Sequence, residues 1–189
     1  MTKELSKLEQ QIQKFMPFNE QEEHDKAILL KWFESGSDIL TRENEIAHLT
    51  ASAWVVSPDK KSVLMAYHNI YHSWAWLGGH ADGDADLHHV AQKEVMEESG
   101  LTHVKFLLDE PFSIEILSVD GHIKKGNYVC THLHLKCSVF VRIFPYSAPF
   151  LPYLSSKTFK KLHFFSYLSL KYSVFSCSPP KYTFDCIFL

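Results

Sequence analysis

Leu5, Leu8, Ile12, Phe15 and Met16 recur at helical spacing over residues 2–16, and Pro17 ends the pattern. Asn19, with Glu22 three residues later, forms a capping-box arrangement and opens a second helix. That helix carries Ile28, Leu29, Trp32 and Phe33 on one side, and Gly36 supplies its stop. Residues 38–42 add a third, short helical segment. Residues 1–44 thus read as a helical arm that packs its apolar face on the core. The period then shifts to two. Residues 48–57 and 62–67 predict a β-hairpin around Pro58-Asp59-Lys60-Lys61. Residues 73–77 lead as an extended segment into a glycine-rich loop. Residues 103–108, 112–119 and 127–135 read as further strands, with a turn at Asp120-Gly121. Strands around one central helix, with other helices outside, predict a layered α+β domain.

The central helix lies within residues 78–101, GGHADGDADLHHVAQKEVMEESGL. Glu94, Glu97 and Glu98 stand at i, i+3 and i+4, which places three carboxylates on one helical face. Like charges at that spacing repel. They either form a solvated acidic surface or surround a cation, and a hard ion such as Mg²⁺ prefers carboxylate oxygen.

The preceding loop favours the second reading. From Gly79, the positions Gly79, Glu94, Val95, Glu97, Glu98, Gly100 and Leu101 match the Nudix box, G-x5-E-x7-R-E-U-x-E-E-x-G-U, in which U is bulky and apolar. Two polar positions depart. Ala85 replaces the first Glu, between Asp84 and Asp86, and Lys93 replaces Arg. Upstream, Trp74-Ala75-Trp76-Leu77-Gly78-Gly79 resembles the W-x-L-P-G-G entry, with Leu77 in place of Pro. The chain therefore resembles the Nudix hydrolases. That resemblance implies an α/β/α sandwich around a mixed sheet and hydrolysis of a pyrophosphate bond in a nucleoside diphosphate linked to a group X. It implies Mg²⁺ or Mn²⁺ held by Glu94, Glu97, Glu98 and the Gly78 carbonyl. Glu94 is either a ligand or a general base. Lys93 stands where an Arg orients that Glu, and an ammonium cannot reproduce a planar fork. Gly78, Gly79 and His80 are placed to meet substrate phosphate. The family's downstream acidic residue has no clear counterpart, with Glu110, Glu115 and Asp120 available. The altered positions keep open a nucleotide-binding module of weak catalytic power.

Charge divides the chain. Residues 1–136 hold 21 acids against 13 bases, whereas residues 137–189 hold one acid, Asp185, against six bases. An acidic body lacks the basic footprint of a nucleic-acid binder. The expected partner is a small nucleotide-type molecule, with neither nucleic acid nor membrane, and a homodimer is compatible with the reading. The tail also lacks Glu, Gln, Asn, Gly, Met and Trp while holding nine Phe, five Tyr and nine Ser. We therefore expect the domain core to span residues 45–136, followed by an aberrant stretch whose composition reads as out-of-frame translation, which keeps open a frameshifted product with no function at all. No secretory signal or run of 18 apolar residues is expected, which fits a cytoplasmic protein. Cys130, Cys137, Cys177 and Cys186 show no zinc spacing and read as reduced thiols. His68, His72, His80, His88 and His89 flank the box without metal-ligand spacing, and His132 and His134 read as neighbours on one strand face. Trp54, Trp74 and Trp76 read as core or rim residues, with Trp74 and Tyr71 near enough to the loop to face a base.

Overall fold

Helix α1 (Lys3–Lys14) opens where Thr2 accepts the Leu5 N–H, and α2 (Glu20–Glu34) where Asn19 accepts that of Glu22. The computed structural model describes residues 2–58, 62–68, 73–143 and 159–163, with backbone alone at 62, 67, 68, 73, 143 and 159–163. Leu8, Ile12 and Phe15 from the first helix, and Leu29 and Phe33 from the second, enter the core. Met16 lies beyond α1 and is exposed, as is Ile28, so the buried stripe of α2 is narrower than its apolar residues imply. Residues 38–42 are not helical. The Asp38 carboxylate takes the N–H groups of Leu40 and Thr41 and the Thr41 hydroxyl, which supports a bend instead of a helical turn.

The strands form one mixed, curled sheet. They are β1 (Ala47–Val56), β2 (Ser62–His68), β3 (Ser73–Ala75), β4 (Leu77–His80), β5 (Val104–Phe106), β6 (Ser113–Val119), β9 (His132–Ile143) and β10 (Phe159–His163). A separate hairpin joins β7 (His122–Lys124) to β8 (Asn127–Val129). The expected single strand over 127–135 is thus divided at Cys130-Thr131, and the expected segment over 73–77 is two short strands. The backbone order is β10-β2-β1-β9-β5, with β3 on β2, β4 on β1 and β6 on β9. At its centre β1 and β9 run parallel, from Ala47 beside Leu133 to Val56 beside Arg142. Helix α3 (Leu87–Ser99) lies against β4 and β1. The architecture is α+β.

Strand alternation gives the two faces of the sheet different chemistry. Leu49, Ala51, Ala53 and Val55 of β1, with Leu135, Cys137, Val139 and Val141 of β9, belong to the large aliphatic core that includes α1, α2 and α3. A fully buried Leu or Val there contributes about 1.5–3 kcal/mol. The alternate residues of the same strands are His48, Thr50 and Ser52, and His132, His134, Lys136 and Ser138. This face is polar for most of its length and ends in an aromatic cluster that includes Trp54, Trp76, Phe112 and Phe140. Trp54 stacks on Trp76 with centroids 3.9 Å apart. Helix α2 closes the outer edge of β6: Asp25 accepts the Ile116 N–H, and the buried Glu22 accepts the Ser113 hydroxyl and the Phe18 N–H.

Strand β9 runs through the boundary that composition suggests after residue 136. Cys137, Ser138, Val139, Phe140 and Val141 are all buried. Burial pushes the Cys137 thiol up to about 12, so it is an inert core group. Residues 144–158 and 164–189, which hold most of the aromatic-rich stretch with Cys177 and Cys186, lie outside the described residues. So do Tyr71, His72 and the side chain of His68. Among the described residues, no helix is long and apolar enough to cross a membrane.

Candidate active site

Asp86 caps α3 by accepting the N–H groups of His88 and His89, and Gly100 ends it in the left-handed conformation at φ 73°. Leu87, Val90, Ala91 and Val95 turn to the core. The register of that buried face leaves Lys93, Glu94, Glu97 and Glu98 outside it. Beside them β4 pairs with β1, Gly78 opposite Ser52 and Gly79 opposite Ala51.

The two glycines are needed for different reasons. A Cβ on Gly78 would lie 2.4 Å from the Ala51 carbonyl oxygen and 2.6 Å from the Ser52 Cβ. Its absence lets β4 approach β1. A Cβ on Gly79 would lie 2.5 Å from the carboxyl carbon of Glu94. That space is taken by a carboxylate. Glu98 completes the junction by accepting the Gly78 N–H through Oε2 at 3.1 Å. Two of the three predicted carboxylates therefore meet the glycine pair. Glu97 is exposed and lines an open groove of about 350 Å³ with His89, Gln92, Lys93 and Met96.

The local electrostatics are those of crowded anions. Burial raises the Glu94 carboxyl above its usual range, the Glu97 charge adds to the rise, and Lys93 offsets part of it. Glu98 is exposed as a residue, yet desolvation among the neighbouring protein atoms is the largest cause of a rise to about 7. The Gly78 N–H opposes that rise, and the charges of Glu94 and Glu97 add to it. Oxygen-only donors that repel one another, packed against a side-chain-free backbone, fit a hard divalent cation.

The departures from the box also have structural reasons. Ala85 packs against the aliphatic core. Asp84 accepts the Asp86 N–H and pairs with His89 Nδ1 at 2.6 Å, and Asp86 is engaged as the helix cap. Both neighbouring acids are thus committed to the loop and the helix start. His88 Nε2 lies 3.3 Å from the Leu108 carbonyl, and its ring meets Phe106 edge-on. Glu115 pairs with the buried Lys136 at 2.9 Å, while Glu110 and Asp120 are exposed.

His80 follows the glycines but points to the opposite face of β4. Its ring centroid lies 5.0 Å from that of His48 and 4.9 Å from that of His134. His132 completes the group, 4.9 Å from His48 and 5.0 Å from His134. Burial is the first cause that holds His80 down at about 4 and His134 at about 3, and neighbouring rings reinforce it. Linear spacing does not reveal this convergence. The one local signal is His132-x-His134, two rings on one strand face. The parallel register that sets His48 beside His134 is a tertiary fact.

No family model matches the chain, and no curated protein matches it. Among solved structures it is similar to a hydrolase of the NUDIX family from Clostridium perfringens, at 21% identity over 51% of this chain and 70% of that one, TM-score 0.36. It is also similar to the Nudix hydrolase RenU from M. Smegmatis, at 13% identity over 61% and 70%, TM-score 0.37. A third is the C. elegans Ap4A hydrolase, at 18% identity over 67% and 96%, TM-score 0.36. The likeness is one of fold and bears on no function.

Proposed function

We propose that the chain hydrolyses a pyrophosphate bond in a nucleoside diphosphate linked to a second group, with the chemistry seated where α3 meets β4. The observation that carries this reading is the meeting of carboxylates with the glycine pair. Glu98 takes the Gly78 N–H, and Glu94 fills the space that a side chain on Gly79 would need. The box resemblance supports the same assignment.

Glu97 and Glu98, with the Gly78 carbonyl, would hold Mg²⁺ or Mn²⁺, which when bound polarises phosphoryl oxygen and acidifies water. Gly78 and Gly79 let β4 close on β1 and on Glu94, which gathers the carboxylates beside the pyrophosphate. Glu94, seated against Gly79, accepts the proton of the water that attacks phosphorus. The P–O bond to the leaving phosphate breaks, and two phosphorylated products separate. The exposed Lys93 offsets part of the local negative charge during this step.

The test is a product assay on nucleotide sugars, dinucleoside polyphosphates and nucleotides, with and without Mg²⁺. We expect Mg²⁺-dependent cleavage of at least one class, and a drop in kcat/KM for Glu97→Gln larger than the about 100-fold that outer-shell changes cost. Binding without turnover establishes a nucleotide-binding module instead, in keeping with Ala85 and Lys93. Neither binding nor cleavage overturns the assignment.

A further inference from the structure

We propose that His48, His80, His132 and His134 form a second metal site, a closed set of four imidazoles for a divalent transition cation of the zinc class. The four rings come from β1, β4 and β9, and they offer ligand nitrogens that all lie within 4.8 Å of one another. Tetrahedral coordination at zinc–nitrogen distances of 2.0–2.1 Å sets the nitrogens about 3.3 Å apart. His132 Nε2 and His134 Nε2 are already 3.2 Å apart, a hydrogen bond that His134 donates to the bare His132 nitrogen and that a bound ion replaces once the His134 proton moves to Nδ1. The remaining closure is at most about 1.5 Å, a matter of ring rotation and small backbone shifts.

Hydrogen bonding fixes which nitrogens point inward. His48 Nδ1 lies 3.0 Å from the Asn44 carbonyl, and His132 Nδ1 lies 2.8 Å from the Cys130 carbonyl. A carbonyl only accepts, so each Nδ1 carries the proton and each neutral ring turns a bare Nε2 lone pair inward. The same backbone anchoring holds metal-bound histidines in orientation. His48 is 4% exposed, and among the described residues its Nε2 is a buried side-chain atom with no hydrogen-bond partner. A core histidine normally satisfies both nitrogens. The inward lone pairs of His48 and His132 repel an anion, and a neutral donor such as water meets only part of the set. A cation accepts from all four.

The surroundings choose the kind of cation. Arg42, Lys124 and Lys136 put positive charge near these rings, and Asp82 is engaged with Arg42 through two contacts of 2.8 Å. An ion held by charge alone, such as Mg²⁺ or Ca²⁺, gains little from neutral nitrogen in such a place. Zinc, cobalt, nickel and copper bind imidazole well enough to overcome that repulsion. With four protein ligands the site is closed, which suits a structural clamp on the β1–β9–β4 junction. The carboxylates of α3 lie across β4 from it, so the two sites stand or fall separately.

The test uses the full chain, stripped with a chelator and titrated with Co²⁺. We expect one Co²⁺ per chain with the intense visible bands of four-coordinate cobalt, unmoved by excess Mg²⁺ and by Glu94→Gln, Glu97→Gln and Glu98→Gln combined. His132→Gln or His134→Gln should weaken binding by more than the about 100-fold that outer-shell changes cost. X-ray absorption on the unmodified chain reads the same site without any variant, and an imidazole shell is expected. An oxygen-only shell, absence of the visible bands, loss of the ion with the glutamates, or a cluster that takes inorganic phosphate instead overturns the proposal.

Discussion

On one side of β4, Glu94 and Glu98 crowd over Gly78 and Gly79; on the other, His80 joins three histidines from β1 and β9. The carboxylate side is oxygen-rich and partly open, and burial raises the pKa values of Glu94 and Glu98. The histidine side is nitrogen-rich and enclosed, and burial lowers the pKa values of His48, His80 and His134. Desolvation acts on both, and in each case it disfavours the charged form. The carboxylates gain from a cation that neutralises them. The imidazoles are kept neutral, which is the state in which nitrogen binds a metal. One short strand thus separates donors for a hard ion from donors for a borderline one.

The largest expected effect comes from cutting the chain within β9, which both sides need. A chain ending at residue 136 loses the buried half of the strand that pairs with β1 and β5, and we expect no cooperative thermal transition. A chain ending at residue 143 keeps that strand and should melt cooperatively, as read by circular dichroism. Equal behaviour of the two would show that residues 137–143 are not part of the core.

A finer test exchanges the glycines. Gly78→Ala drives a Cβ into the backbone of β1 and should lower stability by about 1–3 kcal/mol. Gly79→Ala meets the end of the Glu94 side chain, which can move. It should therefore leave the melting temperature close to that of the parent while reducing pyrophosphate hydrolysis. The cobalt spectrum of the histidine side should survive Gly79→Ala. If both sites fail together in that variant, the strand does not separate them.

A residue on neither side is expected to change stability and leave both sites alone. Glu22→Ala removes the acceptor for the Ser113 hydroxyl and the Phe18 N–H. We expect a loss of about 1–3 kcal/mol in chemical denaturation, with metal binding by the folded protein unchanged. This separates loss of a site from general loss of stability.

The carboxylate side was legible because its parts lie within 21 residues of one another, from Gly78 to Glu98. One helix fixes the relative places of Glu94, Glu97 and Glu98, and the glycines, read from the sequence as a loop, lie in the adjoining strand β4. The first two helices were legible for a similar reason: their caps and apolar spacing are local. Their limits were local as well. Ile28 belongs to the apolar pattern, but the packing of α2 buries Leu29 and Phe33 and leaves Ile28 exposed. The segment at 38–42 looked helical until Asp38 supplied competing side-chain hydrogen bonds. Composition changes after residue 136, while Cys137, Val139 and Val141 keep the alternate apolar positions of strand β9.

By itself the sequence determined the helix periods, the caps, strand-forming stretches over residues 48–57 and 127–135, and the grouping of three glutamates with a glycine pair. Each rests on interactions between residues close along the chain. Only the tertiary structure decided that β1 and β9 lie parallel, in the register that sets His48 beside His134, and that β4 brings His80 to the same face. Register between distant strands depends on which apolar faces bury together, and that is a property of the whole sheet. The acidic site is therefore written in one segment, and the histidine site exists only where three strands meet.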